Sequence, residues 1–169
     1  RSLYPSQLAA RHRGEAVGET WEGLGATAVA DLGLRGRPWV SFLLGTSGPD
    51  IVKRAAEART QEVFPVLDGQ GGLKGVVVPE TLRWLAANHD SEAWAVAADL
   101  MQPPVSVGER SSLRDAAALL VSQGLRGVPV VEGNAGKVVA VLSQADLVAA
   151  AWKDLPPGAG GEGREATGS

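Results

Sequence analysis

Apolar and polar positions along this chain alternate in two similar blocks set about sixty-four residues apart. Phe64-Pro65-Val66-Leu67-Asp68 reads like Val128-Pro129-Val130-Val131-Glu132. A glycine-rich turn follows each run, Gly69-Gln70-Gly71-Gly72 in one and Gly133-Asn134-Ala135-Gly136 in the other. A second β-branched run comes next, Leu73–Val78 and Lys137–Leu142. Glycine and asparagine tolerate positive φ, so two such runs joined by such a loop predict a hairpin in each block.

Helical periodicity brackets both hairpins. Ser112-Leu113-Arg114-Asp115 has the pattern of a capping box, and Leu113, Ala116, Ala117, Leu120 and Val121 make an apolar stripe. Gly124 is placed to end that helix. In the first block Pro49 suits a first helical position, with Ile51, Val52, Ala55 and Ala58 on the buried face. Thr81–Ala87 and Gln144–Trp152 predict a closing helix in each block. The class is therefore α/β (α+β): two repeats of strand–helix–strand–strand–helix. One repeat alone leaves an apolar sheet face bare, so the two are expected to pack as a pseudo-symmetric pair. The boundaries are an arm at 1–35, a first module at 36–87, an inter-module segment at 88–97, a second module at 98–155 and a tail at 156–169. That tail is rich in glycine and poor in apolar side chains, which predicts disorder.

Composition narrows the chemistry. With 44% hydrophobic and 21% charged residues the chain has the balance of a soluble globular protein. A net charge of −3 offers no cationic surface, so no nucleic-acid partner is expected. Cysteine is absent, which removes disulfides, thiolate metal sites and thiol nucleophiles together. The chain begins at Arg1 and its one methionine is Met101, the mark expected of a piece of a longer protein. Gly23-Leu24-Gly25-Ala26-Thr27-Ala28 fits a dinucleotide fingerprint on paper, but no buried strand precedes it. Gly45-Thr46-Ser47-Gly48 lacks the lysine of a phosphate-binding loop. His12 and His89 suggest neither a metal cluster nor a triad, so no enzyme is expected.

Met101-Gln102-Pro103-Pro104-Val105-Ser106-Val107, the capped helix, Val128-Pro129-Val130-Val131 and Ser143-Gln144-Ala145-Asp146 follow in order. That ordered set resembles a cystathionine-β-synthase (CBS) module, strongly over 98–155 and more weakly over 35–87. The resemblance implies sheets packed together, adenosine ligands in the clefts between modules, and further association into a homodimer. It implies no required cofactor and an adenine nucleotide (AMP, ADP or ATP) as ligand. In such modules the Ser/Thr-x-x-Asp element meets ribose and phosphate, which assigns those contacts to Ser143 and Asp146. The same four residues also fit a helix-capping box, and the two roles can coexist. The resemblance further puts Arg126 near the phosphates and Val105 and Val128 along the adenine slot, where loop arginine and core valine are the plainer readings. In the first repeat Val78 and Thr81 stand at the serine and aspartate positions, so that cleft is expected to be empty or weak.

Ser2-Leu3-Tyr4-Pro5, the basic Arg11-His12-Arg13, Phe64-Pro65-Val66 and the long segment after Asn88 resemble the cytoplasmic domain of a ClC-type chloride channel or transporter. That resemblance implies a transmembrane domain as partner and a place on the cytoplasmic face of a membrane. Two other functions stay open: a structural dimerisation module that no longer binds nucleotide, and the regulatory CBS domain of another transporter.

Overall fold

The structure is a computed structural model and describes residues 24–134 and 136–153. The cationic start of the arm and the glycine-rich tail lie outside the described residues. After two 3₁₀ turns, Val29–Leu32 and Leu34–Gly36, the first module runs β1 (Phe42–Leu43), α1 (Gly48–Glu57), β2 (Phe64–Leu67), β3 (Leu73–Val77) and α2 (Pro79–Ala87). Two short helices, α3 (His89–Trp94) and α4 (Ala97–Leu100), occupy the segment between modules. The second module is β4 (Val107–Gly108), α5 (Leu113–Gln123), β5 (Gly127–Glu132), β6 (Lys137–Ser143) and α6 (Gln144–Lys153). Each module has a three-stranded sheet, with a parallel first pair and an antiparallel hairpin. This is the mixed α/β pair expected from the repeat.

The two halves agree in detail. Ser47 and Ser112 share the same extended backbone, and the hydroxyl of each accepts a hydrogen bond from the N–H three residues on, Asp50 at 3.4 Å and Asp115 at 3.0 Å. The register irregularity in the first hairpin, between Val66 and Leu67, recurs in the second between Val130 and Val131. Gly124 ends α5 in the left-handed conformation, at φ 64. One member of the expected stripe departs: Val121 is 80% exposed. At 100° per residue it stands about 80° round from Leu113, at the edge of the stripe.

The segments that lead into the modules exchange places. Residues 28–36, ahead of the first module, lie on the second: Ala28 bridges Ser112, Val29 N–H donates to the Ser111 carbonyl and Ala30 N–H to that of Glu109. Residues 96–102, ahead of the second module, repeat the pattern on the first: Val96 bridges Ser47, Ala97 N–H donates to Thr46 and Ala98 N–H to Leu44. The apolar side chains follow. Leu24, Val29 and Leu34 are buried in the second module's core, around Leu113, Leu120 and Leu142. Ala97 is buried in the first, with Phe42, Ile51, Phe64 and Leu85. A third cluster, Val63, Val76 and Val78, meets Val105 and Leu125 and joins the two modules. Each leader thus supplies apolar surface to the opposite module, and the pair forms a single packed body.

Candidate functional site

The junction between β6 and α6 gathers most of the chemistry. Ser143 N–H donates to Asp146 Oδ2 at 2.8 Å, and Asp146 N–H donates to Ser143 Oγ at 3.1 Å. This reciprocal arrangement satisfies two N–H groups that a helix start otherwise leaves unpaired. Pairing of Gly127 with Ser143 brings β5 alongside, and Gln144 N–H donates to the Arg126 carbonyl at 2.8 Å. Arg126 is therefore beside the junction; its side chain is exposed and makes no ion pair among the described residues.

The Asp146 carboxylate does not stand free. Arg37, 109 positions earlier, donates from Nη1 to Oδ1 and from Nη2 to Oδ2, each at 2.6 Å. Its Nη2 also donates to the Val141 carbonyl at 2.9 Å. Burial pushes the Asp146 carboxyl up, but the Arg37 guanidinium and the Ser143 N–H outweigh it and hold the group below the ordinary aspartate value. The same pairing raises Arg37 against its partial burial. A second arginine of the leader, Arg35, grips Glu109 through Nε and Nη2 at 2.6 and 2.8 Å and reaches Glu132 at 3.1 Å. Hydrogen bonding to Arg35 depresses Glu109. Between leader and α6 lies a cavity of about 360 Å³, whose walls include Leu32, Leu34, Arg37, Asp146, Ala150 and Lys153. Its size is within the range of small-molecule sites.

Val105 is half-buried on the seam, touching both the second module's core and the joining cluster. Val128 is fully buried in the second module's core and in this arrangement presents no side-chain surface to a ligand. Arg37 carried no signal in the sequence: its partner is far away along the chain, and only the crossing of the leaders brings them together.

The first module is built differently at the matching places. Val78 is buried and gives α2 no side-chain cap, and Thr81 replaces the carboxylate. The Gln61 carboxamide also lies along the Val40 backbone. Val40 N–H donates to Gln61 Oε1 at 2.8 Å, while Gln61 Nε2 donates to the Val40 carbonyl at 2.7 Å and that of Val63 at 3.0 Å. The repeat puts Leu125 opposite Gln61 and Val105 opposite Val40. Leucine cannot make those bonds, and the Val105 N–H and C=O have no partner among the described residues.

The family model for the CBS domain matches residues 96–153, the second module. CBSX2 of Arabidopsis thaliana, solved in complex with AMP, is 30% identical over 75% of this chain and 97% of its own, with a TM-score of 0.64. A CBS domain-containing protein of Dictyostelium discoideum is 25% identical over 119 residues, 64% of this chain and 81% of that relative. The CBS domain of a bacterial CNNM/CorC family Mg²⁺ transporter, solved with ATP, shares the fold at a TM-score of 0.66, with 18% identity over 83% of this chain and 97% of its own. The chain belongs to the CBS domain family, as a tandem pair of modules.

Among the described residues no group of three or more His, Cys, Asp or Glu could hold a metal ion. Nor, among them, is any helix long and apolar enough to cross a membrane.

Proposed function

We propose that this chain is a non-catalytic regulatory CBS pair that senses an adenine nucleotide in one cleft, at the β6–α6 junction of the second module. The observation that carries the reading is the pairing of Ser143 with Asp146, which holds a carboxylate at the start of α6 beside the Ala145 N–H, the helix-start donor left without a partner among the described residues. A carboxylate can accept from both ribose hydroxyls, and helix-start N–H groups favour an anion. The unpaired Val105 N–H and C=O complement the N1 acceptor and amino donor of adenine, with the Val105 side chain as an apolar wall. Arg126, exposed beside the junction, has the charge for a phosphate. The AMP bound by CBSX2 supports the ligand class.

Calorimetry with AMP, ADP and ATP tests this. Wild type should bind at least one of them, and Asp146→Ala should weaken that binding more than tenfold, about 1.4 kcal/mol or more. Undiminished binding by the variant would move the site elsewhere.

The ClC-type cytoplasmic domain is the parent we propose, with its own transmembrane domain as partner; the support is the sequence resemblance in the arm and at Phe64-Pro65-Val66. A structural role in dimerisation is the second reading, favoured by Trp84, Trp94 and Trp152, which are 51%, 87% and 67% exposed on helices α2, α3 and α6. Apolar surface of this kind is what subunit contacts cover. Sedimentation of the full chain should give a homodimer, and Trp94→Glu or Trp152→Glu should shift it towards monomer.

A further inference from the structure

We infer that Arg37 is a tethered competitor for the nucleotide site: its guanidinium occupies the Asp146 carboxylate, and ligand binds only as that ion pair opens. The inference rests on the nucleotide reading of Asp146 and adds how that site is controlled. Asp146 Oδ1 holds Arg37 Nη1, and Oδ2 holds both Arg37 Nη2 and Ser143 N–H. A carboxylate offers about four acceptor positions, so three are already taken. One position is left, so two ribose hydroxyls cannot both be received until at least one of the two arginine bonds breaks. The Ser143 bond is local and survives the exchange.

The two halves of the molecule supply an internal control. Taking Val40 with Val105 as equivalent puts Arg37 opposite Gln102. Both serve the same strand position in the opposite module. Gln102 exchanges backbone hydrogen bonds with Val76, donating at 2.8 Å and accepting at 3.1 Å, whereas Arg37 reaches the matching Val141 carbonyl through its side chain. Gly75 permits the close backbone approach in the first module, since a Cβ there would come within 2.6 Å of the Gln102 carbonyl oxygen. Its counterpart Ala140 already carries a Cβ. The guanidinium thus stands on the side that retains a carboxylate, and the side with Thr81 has a neutral glutamine.

The seat is suited to release. The Arg37 side chain is 44% exposed and Asp146's 16%, so the arginine can swing into water while the aspartate stays anchored by its own helix. The rest of the leader need not move: Leu34 is buried and Arg35 is held by Glu109. A site that is open a fraction of the time shows its intrinsic affinity reduced by that fraction, so a pair closed about nine-tenths of the time weakens binding about tenfold.

Adenosine, which carries the ribose and no phosphate charge, separates competition from phosphate contact. Calorimetry of the full chain should find Arg37→Ala binding adenosine about tenfold tighter than wild type, with Arg37→Gln changed in the same direction. Raising salt from about 0.02 to about 0.5 M screens an exposed ion pair. It should therefore tighten adenosine binding to wild type and leave Arg37→Ala unchanged. Equal affinities in the two proteins, with Asp146→Ala inactive, would overturn the competitor and leave the site standing. Weaker AMP binding by Arg37→Ala would also overturn it, making Arg37 a phosphate ligand instead. Absence of binding in every protein, or full binding by Asp146→Ala, would remove the site and its competitor together.

Discussion

The two modules share a strand order, a capped first helix and even the position of a register irregularity, yet they treat their clefts in opposite ways. In the first, the chain fills its own donors and acceptors: Gln61 takes both backbone groups of Val40, and Val78 turns an apolar side chain into the core. In the second, Leu125 leaves Val105 open, and the Asp146 carboxylate is held by a partly exposed arginine. A buried polar group must be paired, and what pairs it decides whether a ligand can enter. A carboxamide packed between strands is permanent architecture. A guanidinium at the rim, by our proposal, is exchangeable. Duplication therefore yields, from a single plan, one cleft whose backbone groups are paired within the chain and one that we propose is regulated.

The contrast between the modules can be tested at three depths. The largest effects belong to the cores. Leu85→Ala and Leu113→Ala remove fully buried side chains from the first and second modules and should each cost about 2–5 kcal/mol. Because each leader is buried in the opposite core, both variants should unfold in a single transition by calorimetric scanning; two separate transitions would mean the modules are independent.

An exchange across the repeat comes next. Gln61→Leu strips the partners from Val40 N–H and C=O and should destabilise by about 1–3 kcal/mol in chemical denaturation. The reverse change, Leu125→Gln, places a carboxamide where it can seal Val105, and should weaken nucleotide binding about tenfold or more by calorimetry. Unchanged affinity in that variant would show that the Val105 backbone takes no part in recognition.

The smallest effect is that of acid. Asp146 is held below the ordinary aspartate value, about 3.9. Its folded form binds a proton less readily than the unfolded chain, so its contribution is present in full above about pH 4 to 5 and is lost as pH falls through the depressed value. Asp68, whose carboxylate accepts from Gly72 and Gln70 N–H, and Glu109, paired with Arg35, are depressed as well and contribute in the same direction. Melting temperatures between about pH 5 and pH 2 should therefore fall less steeply for Asp146→Asn than for wild type; parallel curves would contradict the depressed value.

Much of this was written in local sequence. Hairpins, capped helices and the repeat itself depend on neighbours a few residues apart: Ser112 with Asp115, Gly124 at a helix end, Ser143 with Asp146. Such contacts lie within one turn or one loop, so their residue types betray them. Val121 shows the limit, since periodicity counted it in the stripe and the tertiary packing leaves it in water. The short helices α3 and α4 also escaped, being too short for a periodic signal. What tertiary structure alone decided is the crossing of the leaders. It brought Leu24, Val29 and Leu34 of the expected arm into the second module's core and carried Arg37 to Asp146. An ion pair between residues 109 positions apart leaves no trace in spacing or composition, because it exists only once two modules have folded against each other.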